Sequence, residues 1–577
     1  MKILPLLGIA AAVALLAYAF LRLRARLLLS RAKHPSLKGH PRIALRLARL
    51  LPYYAFSREE LPRSDGAPED VVARREKGFR ELAKQLRDRA PKTLALGAEI
   101  EDKVSDVAFT NAYRMPFPFR EEVESNLPVG GFLVASKGVR VRDLDGNWTY
   151  DLTGAYGMNL FGYDFYKECI EKGAERVRDL GPFLGSYHPV LADNVRRLLE
   201  ISGQDEVSFH MSGTEAVMQA VRLACYHTHR THAVRFCGAY HGWWDGVQPG
   251  PGNPRVAREV YTLRDMDERS LRVLRTRKDV ACVLVNPLQA MHPNASGPSD
   301  SMLVSSERSA RYDRASYTEW LRELREVCTE RGIVLVFDEV FLGFRLAPGG
   351  AQEYFGVRAD LVSYGKTLGG GLPIGVLCGR HYLMKRFRED RPSDVCFARG
   401  TFNSHPYVMG AMNEFLRRLE TPEIRATYER LDESWDGRAA ELNLRLGREG
   451  LPIRVANMTS VWTVLYTVPS RFNWMFQYYL RAQGLTLSWI GTGRFIFSHD
   501  YSDADFAAVA NRVVAAARAM QTDGWWWEGA LSNAAIRKRV VREVLRAAFG
   551  RRPRAGSGRA TPLRPASPAD PSPASTR

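Results

Sequence analysis

Two short runs, Ile333–Phe337 and Leu361–Tyr364, apolar but for Ser363, are too short for helices and predict strands buried on both faces. Val280–Val285 repeats the pattern, and Val207–His210 and Ala233–Cys237 read as further short strands. Helical periodicity separates them, as in Val217, Ala220, Val221 and Ala224, so the centre of the chain reads as α/β with strands side by side in one sheet. Residues 131–162 instead alternate apolar and polar around Asp145-Gly146-Asn147, a hairpin pattern. Val71–Leu86 and Ile536–Phe549 repeat at helical spacing. In the second, Ile536, Val540, Val541, Val544, Leu545 and Ala548 share one face, and Arg537, Lys538, Arg539, Arg542 and Arg546 occupy much of the rest. Ile3–Leu21 carries no charge over nineteen residues, about the length that spans a bilayer.

The first two strands each lead to an ionisable residue, Asp338 and Lys366. Ligands of open α/β sheets bind at the carboxyl ends of the strands, so both side chains are expected in one crevice. A lysine and an acid beside the glycine run Gly369–Gly371 suit pyridoxal 5'-phosphate (PLP). The amine can hold the cofactor aldehyde as a Schiff base, and the carboxylate can keep the ring nitrogen protonated. A plain buried ion pair in a nucleotide-binding sheet is the competing reading. It is not a P-loop, because Asp360 stands where that motif needs glycine. The turn Met211-Ser212-Gly213-Thr214-Glu215 between a strand and a helix is a ready anion site, with free N–H groups and the positive end of the helix dipole.

Residues 333–372, with DEV, GFR, APGGAQ, YFG and GK followed by GGGLP in this order, resemble the class III (fold type I) PLP-dependent aminotransferases, in particular the glutamate-1-semialdehyde 2,1-aminomutase branch. The likeness extends over about 105–520. It implies a large mixed-sheet cofactor domain with a smaller α+β domain, and PLP as cofactor. It places Ser212, Gly213 and Thr214 at the phosphate, Tyr240 and His241 beside the ring, Asp338 at the ring nitrogen and Lys366 at the aldehyde. Val340, two residues beyond Asp338, points the same way and would pack on the other ring face. Thr401, in GTF, would reach the phosphate of a neighbouring subunit, which implies a homodimer with shared sites. Tyr156 would lie over the substrate and Arg114 would take its carboxylate, unless Arg114 is a surface arginine beside a Pro-rich turn. The reaction implied is amino transfer between an amine or amino acid and an oxo acceptor. An intramolecular aminomutase and a catalytically silent scaffold are the alternatives.

The likeness breaks at substrate positions. The family's Glu-Pro-Val is Asn286-Pro287-Leu288 here, with Asn286 or Gln289 left to replace the lost contacts. Gly491 stands where an acid is usual, in the expected closing hairpin Leu485–His499, and residues 293–315 form a Ser-rich insertion. Glutamate-1-semialdehyde is therefore not the expected substrate.

Charge changes the picture only at the ends. The formal charge is +18, and residues 1–50 with residues 533–577 carry +19 of it, leaving a body of about −1. Such a body has no basic groove for nucleic acid. Seven scattered cysteines without a CxxC argue against disulfides or a metal framework. Arg22, Arg24, Arg26, Arg31 and Lys33 follow the apolar run, so a single-pass anchor with a cytoplasmic body is expected. A cleaved signal peptide, with Ala17-Tyr18-Ala19 as its site, is the rival. The expected divisions are 1–35 anchor, 36–104 helical linker, 105–162 start of the small domain, 163–410 cofactor domain and 411–522 small domain. A basic amphipathic segment, 523–549, precedes a disordered tail, 550–577. That segment, beside Trp525-Trp526-Trp527, is either a membrane-surface helix or packed on the body.

Overall fold

The computed structural model describes residues 3–549 apart from 254, 256, 296–302, 304–307, 490, 528 and 530, with side chains in the first helix described from Ala10 onward. The expected tail, 550–577, lies outside the described residues, as does much of the Ser-rich insertion.

The short apolar runs form a seven-stranded sheet: β1 (Glu206–His210), β2 (His232–Phe236), β3 (Val260–Leu263), β4 (Val280–Val285), β5 (Val334–Asp338), β6 (Leu361–Gly365) and β7 (Gly375–Gly379). Their spatial order is β1-β7-β6-β5-β4-β2-β3. Only β7 runs antiparallel to its neighbours, so the sheet is mixed. β4, β5 and β6 are buried along their whole length, as apolar strands covered on both faces must be. A second core gathers the predicted hairpin, the strands Ile453–Met458 and Val461–Tyr466, and the helix Asp503–Thr522. In the hairpin, Arg142 pairs with Trp148 across the Asp145-Gly146-Asn147 turn.

The segment Leu485–His499 is not a hairpin. Leu485–Thr486 pairs with Trp148–Asp151 of one sheet, and Phe495–Ile496 pairs with Val461–Tyr466 of another. Alternation of apolar residues looks the same in either arrangement, because each short strand buries one face.

The single-pass anchor, and with it the membrane-anchored localisation, is overturned. Among the described residues no helix is long and apolar enough to cross a membrane. The apolar run Ile3–Leu21 forms the first part of helix Ile3–Ala32, and from Arg22 onward that helix carries charges. The earlier part of the run, up to residue 9, lies outside the described side chains. Beyond Leu21 the helix settles on the body: Ala32 is fully buried, Leu29 packs on the main core and Lys33 forms a backbone bridge to Leu263.

The C-terminal helix Asn533–Phe549 is also fastened to the body. Both guanidinium nitrogens of buried Arg471 donate to Glu543, at 2.7 and 2.8 Å, and Ile536 is buried. Trp525 and Trp526 sit in the second core. Of the two readings of residues 523–549, the packed one describes these contacts.

Candidate active site

β5 and β6 are parallel neighbours with Asp338 in register with Ser363, so the chain leaves both strands at the same edge. Asp338 is 4 % exposed. Its Oδ2 accepts from His241 Nδ1 at 2.9 Å, and its Oδ1 accepts from the Val340 N–H at 3.2 Å. Burial pushes the His241 imidazole pKa down while Asp338 opposes it. With Nδ1 donating to Asp338, the ring's Nε2 is left buried and unpartnered.

Lys366 follows β6 with a left-handed φ of +49°, a conformation rare for a side-chain-bearing residue. Burial pushes its ammonium pKa below the usual lysine range; Asp338 opposes the shift and Arg345 adds to it. Its amine is thus closer to the neutral, proton-accepting form than an exposed lysine's. Nζ lies 5.6 Å from the centre of the Phe341 ring.

Opposite stands the start of helix Gly213–Thr228. Ser212 caps it, its Oγ accepting from the Glu215 N–H at 3.2 Å. The first N–H groups, at Gly213 and Thr214, have no acceptor within the helix. Two glycines let neighbours close in. A Cβ on Gly213 would lie 2.5 Å from Val340 Cγ1, and one on Gly242 (φ +90°) would lie 2.6 Å from Thr214 Oγ1.

These groups line one cavity of about 530 Å³: Ser212, Gly213, Thr214, Tyr240, His241, Asp338, Val340 and Lys366. Thr401 lies in an exposed turn and is absent from the cavity lining. Tyr156 is half exposed in a left-handed turn beyond the lining. Arg114 is also outside it; burial lowers its pKa, against Tyr478 and Tyr156, and its Nε is unpartnered. Gln289 and Asn286 reach the lining, but their amides serve the backbone. Gln289 Nε2 donates to the carbonyls of Cys237 and His292 at 2.8 and 2.7 Å, and Asn286 Nδ2 to that of Tyr240 at 3.1 Å.

Three residues gain a place that sequence reasoning did not give them. Arg494 follows the turn Gly491–Gly493 into the cavity. Burial brings its guanidinium pKa down to about 10, its Nε is buried without a partner, and it forms no ion pair among the described residues. Its signal was a lone arginine in a small-residue turn. Arg345, of the GFR motif, donates to Ser460 Oγ at 2.8 Å and to the Phe497 carbonyl at 2.7 Å, tying the loop after β5 to the second core. Glu339, next to Asp338, instead accepts from the N–H groups of Ala351 and Gln352 at 2.6 and 3.1 Å, capping helix Gly350–Phe355; burial raises its pKa to about 8.

The donor set fits PLP. Free N–H groups at a helix start suit a phosphate, a buried carboxylate suits a protonated ring nitrogen, and a lysine of lowered pKa suits an aldehyde. Lys366, Asp338, Ser212, Gly213 and Thr214 are the residues that would hold it.

Known proteins carry the same pattern. A family model described as aminotransferase class-III matches residues 123–443. The glutamate-1-semialdehyde 2,1-aminomutase of Hydrogenobaculum sp. (strain Y04AAS1) is 31 % identical over 349 residues, which span 57 % of this chain and 76 % of the relative. A solved structure titled "Transaminase with PLP bound" is 26 % identical with a TM-score of 0.58, covering 74 % of this chain and 98 % of its own. A glutamate-1-semialdehyde aminomutase from Pseudomonas aeruginosa PAO1 shares the fold, at a TM-score of 0.62 and 17 % identity, over 78 % and 99 % of the two chains.

Proposed function

The chain belongs to the class-III aminotransferases, and from that premise we propose that Lys366 and Asp338 are its catalytic pair. As a family member it is a PLP-dependent enzyme that moves an amino group between an amine or amino acid and an oxo acceptor. When bound, PLP supplies an aldehyde that exchanges amines and a ring that takes up the electron pair left by deprotonation. The observation that carries the assignment is the delivery of both residues into one cavity by neighbouring parallel strands.

Lys366, its pKa lowered by burial, takes a proton from the substrate carbon and returns it on the far side of the reaction. Asp338, held by His241 and the Val340 N–H, would present its carboxylate to the ring nitrogen. Ser212, Gly213 and Thr214 fix the phosphate, and Tyr240, His241 and Val340 confine the ring. Thr401, exposed and outside its own chain's cavity, completes the site of a second subunit, so the working form is a homodimer. Residues 163–410 form the cofactor domain, and 105–162 with 411–522 the smaller one.

The substrate carries an anionic group. Asp338 is the only carboxylate among the described lining residues, whereas Arg494 brings a buried cation that has no ion-pair partner among the described residues. A second ammonium on the substrate would find no counter-ion. Mono-amino acids with an apolar portion are therefore favoured over diamines. The 31 % likeness to an aminomutase favours a second reading, in which both amino transfers occur on one molecule.

Borohydride reduction of the holoenzyme tests the pair. The cofactor should be fixed on the single peptide containing Lys366, and label on another lysine sinks the assignment. Among donors, the highest kcat/KM for glutamate-1-semialdehyde would select the aminomutase reading.

A further inference from the structure

Behind the cofactor cavity two further hollows lie end to end. The larger, about 1020 Å³, runs between the first helix and the ends of β2 and β3. Arg22, Arg26, Lys33, Arg42, Arg258 and Lys278 line it. Its only carboxylate among the described residues, Asp279, is already engaged, accepting from Arg277 Nε at 2.8 Å and from the Tyr261 hydroxyl at 2.7 Å. Six cations facing one cleft with no free carboxylate repel one another unless an anion sits among them.

The second hollow, about 500 Å³, shares Pro41 and Pro249 with the first and is mainly apolar; the one cation in its lining, Arg235, is engaged with the carbonyls of Val247 and Ala239. Helix Pro41–Leu50 forms its wall, with Ala44 and Ala48 giving depth. Leu37, Leu47 and Leu51 line it yet remain 48 %, 46 % and 47 % exposed, so none of the described residues covers them fully. Its far side is Gly238 and Ala239, which also wall the cofactor cavity.

We propose that the joined hollows bind one amphiphile, a single-chain alkyl phosphate, with its head among the cations and its chain along helix Pro41–Leu50. The continuity of the two hollows and their opposite character specify this occupant. Four of the six cations are arginines, whose planar forks match phosphate oxygens two at a time. The alkyl chain would cover leucines that water now touches, as burial of apolar surface favours. The site is separate from the aminotransfer residues and does not depend on their assignment.

Titration calorimetry on the full-chain holoenzyme tests it, with inorganic phosphate, butyl, hexyl and octyl phosphate, and octanol, all below micelle-forming concentrations. One alkyl phosphate should bind per chain, tightening about fourfold per methylene until the apolar hollow is filled. Arg42→Ala should weaken every phosphate at least tenfold, and Leu47→Asp should flatten the dependence on chain length, both with aminotransfer unchanged. Affinity independent of chain length overturns the proposal, as does octanol binding as tightly as octyl phosphate. So does binding to phosphatidic acid vesicles without binding to the monomeric ligands, which would mark a charged surface rather than a site. The chain-length series on the unaltered protein decides even if a variant fails to fold.

Discussion

Replacing Asp338 by Asn changes one atom type at the floor of the cavity and should separate folding from chemistry. The carboxylate is 4 % exposed and accepts from His241 Nδ1 and from the Val340 N–H. An amide can keep the Val340 contact through its oxygen and turn its NH2 toward His241. The histidine can then accept at Nδ1 and carry its proton on Nε2, which has no partner to lose. The cost to stability should stay near that of one ordinary hydrogen bond, about 1 kcal/mol. Activity should suffer far more. No other carboxylate lines the cavity among the described residues, so nothing replaces the charge opposite the ring nitrogen. Loss of a preorganised partner to charge developing in a dry site costs roughly 2.7–4 kcal/mol, or about 100- to 1000-fold in rate. The assay is the single-turnover half-reaction with an excess of amino donor, followed by the cofactor's absorbance. Borohydride should still label Lys366 in the variant, showing that the cofactor is bound. A half-reaction within about fivefold of the unaltered rate would place the ring nitrogen's partner elsewhere.

Arg494→Ala should raise KM for donors bearing a carboxylate, by about 10- to 100-fold for a lost charge-assisted contact of 1.5–3 kcal/mol, and leave simple amines unaffected; equal effects on both refute a role in recognition. Asp265 is buried, one of its oxygens is unpartnered, and burial brings its pKa up to about 7. The folded protein then holds a proton that the unfolded chain releases near pH ~4, so this group costs stability increasingly from about pH 4 to 7. Asp265→Asn should therefore gain stability over the parent across that window, and urea unfolding that shows no pH-dependent difference refutes it. Glu543→Gln leaves buried Arg471 with a neutral partner and should loosen helix Asn533–Phe549 by about 3 kcal/mol, read as faster proteolysis ahead of residue 533.

The cofactor side was legible in the sequence because Ile333–Phe337 and Leu361–Tyr364 are short and almost wholly apolar, which makes the ionisable residue after each conspicuous. Asp338 and Lys366 stand out for that reason, whereas the turn at Ser212–Thr214 reads equally as an ordinary capped helix start and gains its meaning from lying in the same cavity. The substrate side was not legible. Arg494 is one of 82 basic residues, and only its burial at the cavity distinguishes it. Gln289 looked available for a ligand, but its amide is spent on loop carbonyls that no periodicity reveals. The segment around Arg494 read as a hairpin because pairing partners are a property of the fold and not of the strand. The N-terminal run was read from its length and the basic residues after it, while the packing of Leu29 and Ala32 against distant strands depends on contacts far along the chain.

That segment has a consequence for how the enzyme can change. Its two ends are stitched into different sheets, Leu485–Thr486 into one and Phe495–Ile496 into the other, while Lys366 and Asp338 hang from a third. Arg494 is thus carried on a strap slung between supports that the cofactor machinery does not share. With Arg494 in its proposed role, a shift of either support would move the cation relative to Lys366 and Asp338 and change the substrate length the site accepts, leaving those two residues on their own sheet. Selection for a new substrate can act on the strap's anchorage, leaving the costly, tightly coupled chemistry inherited intact.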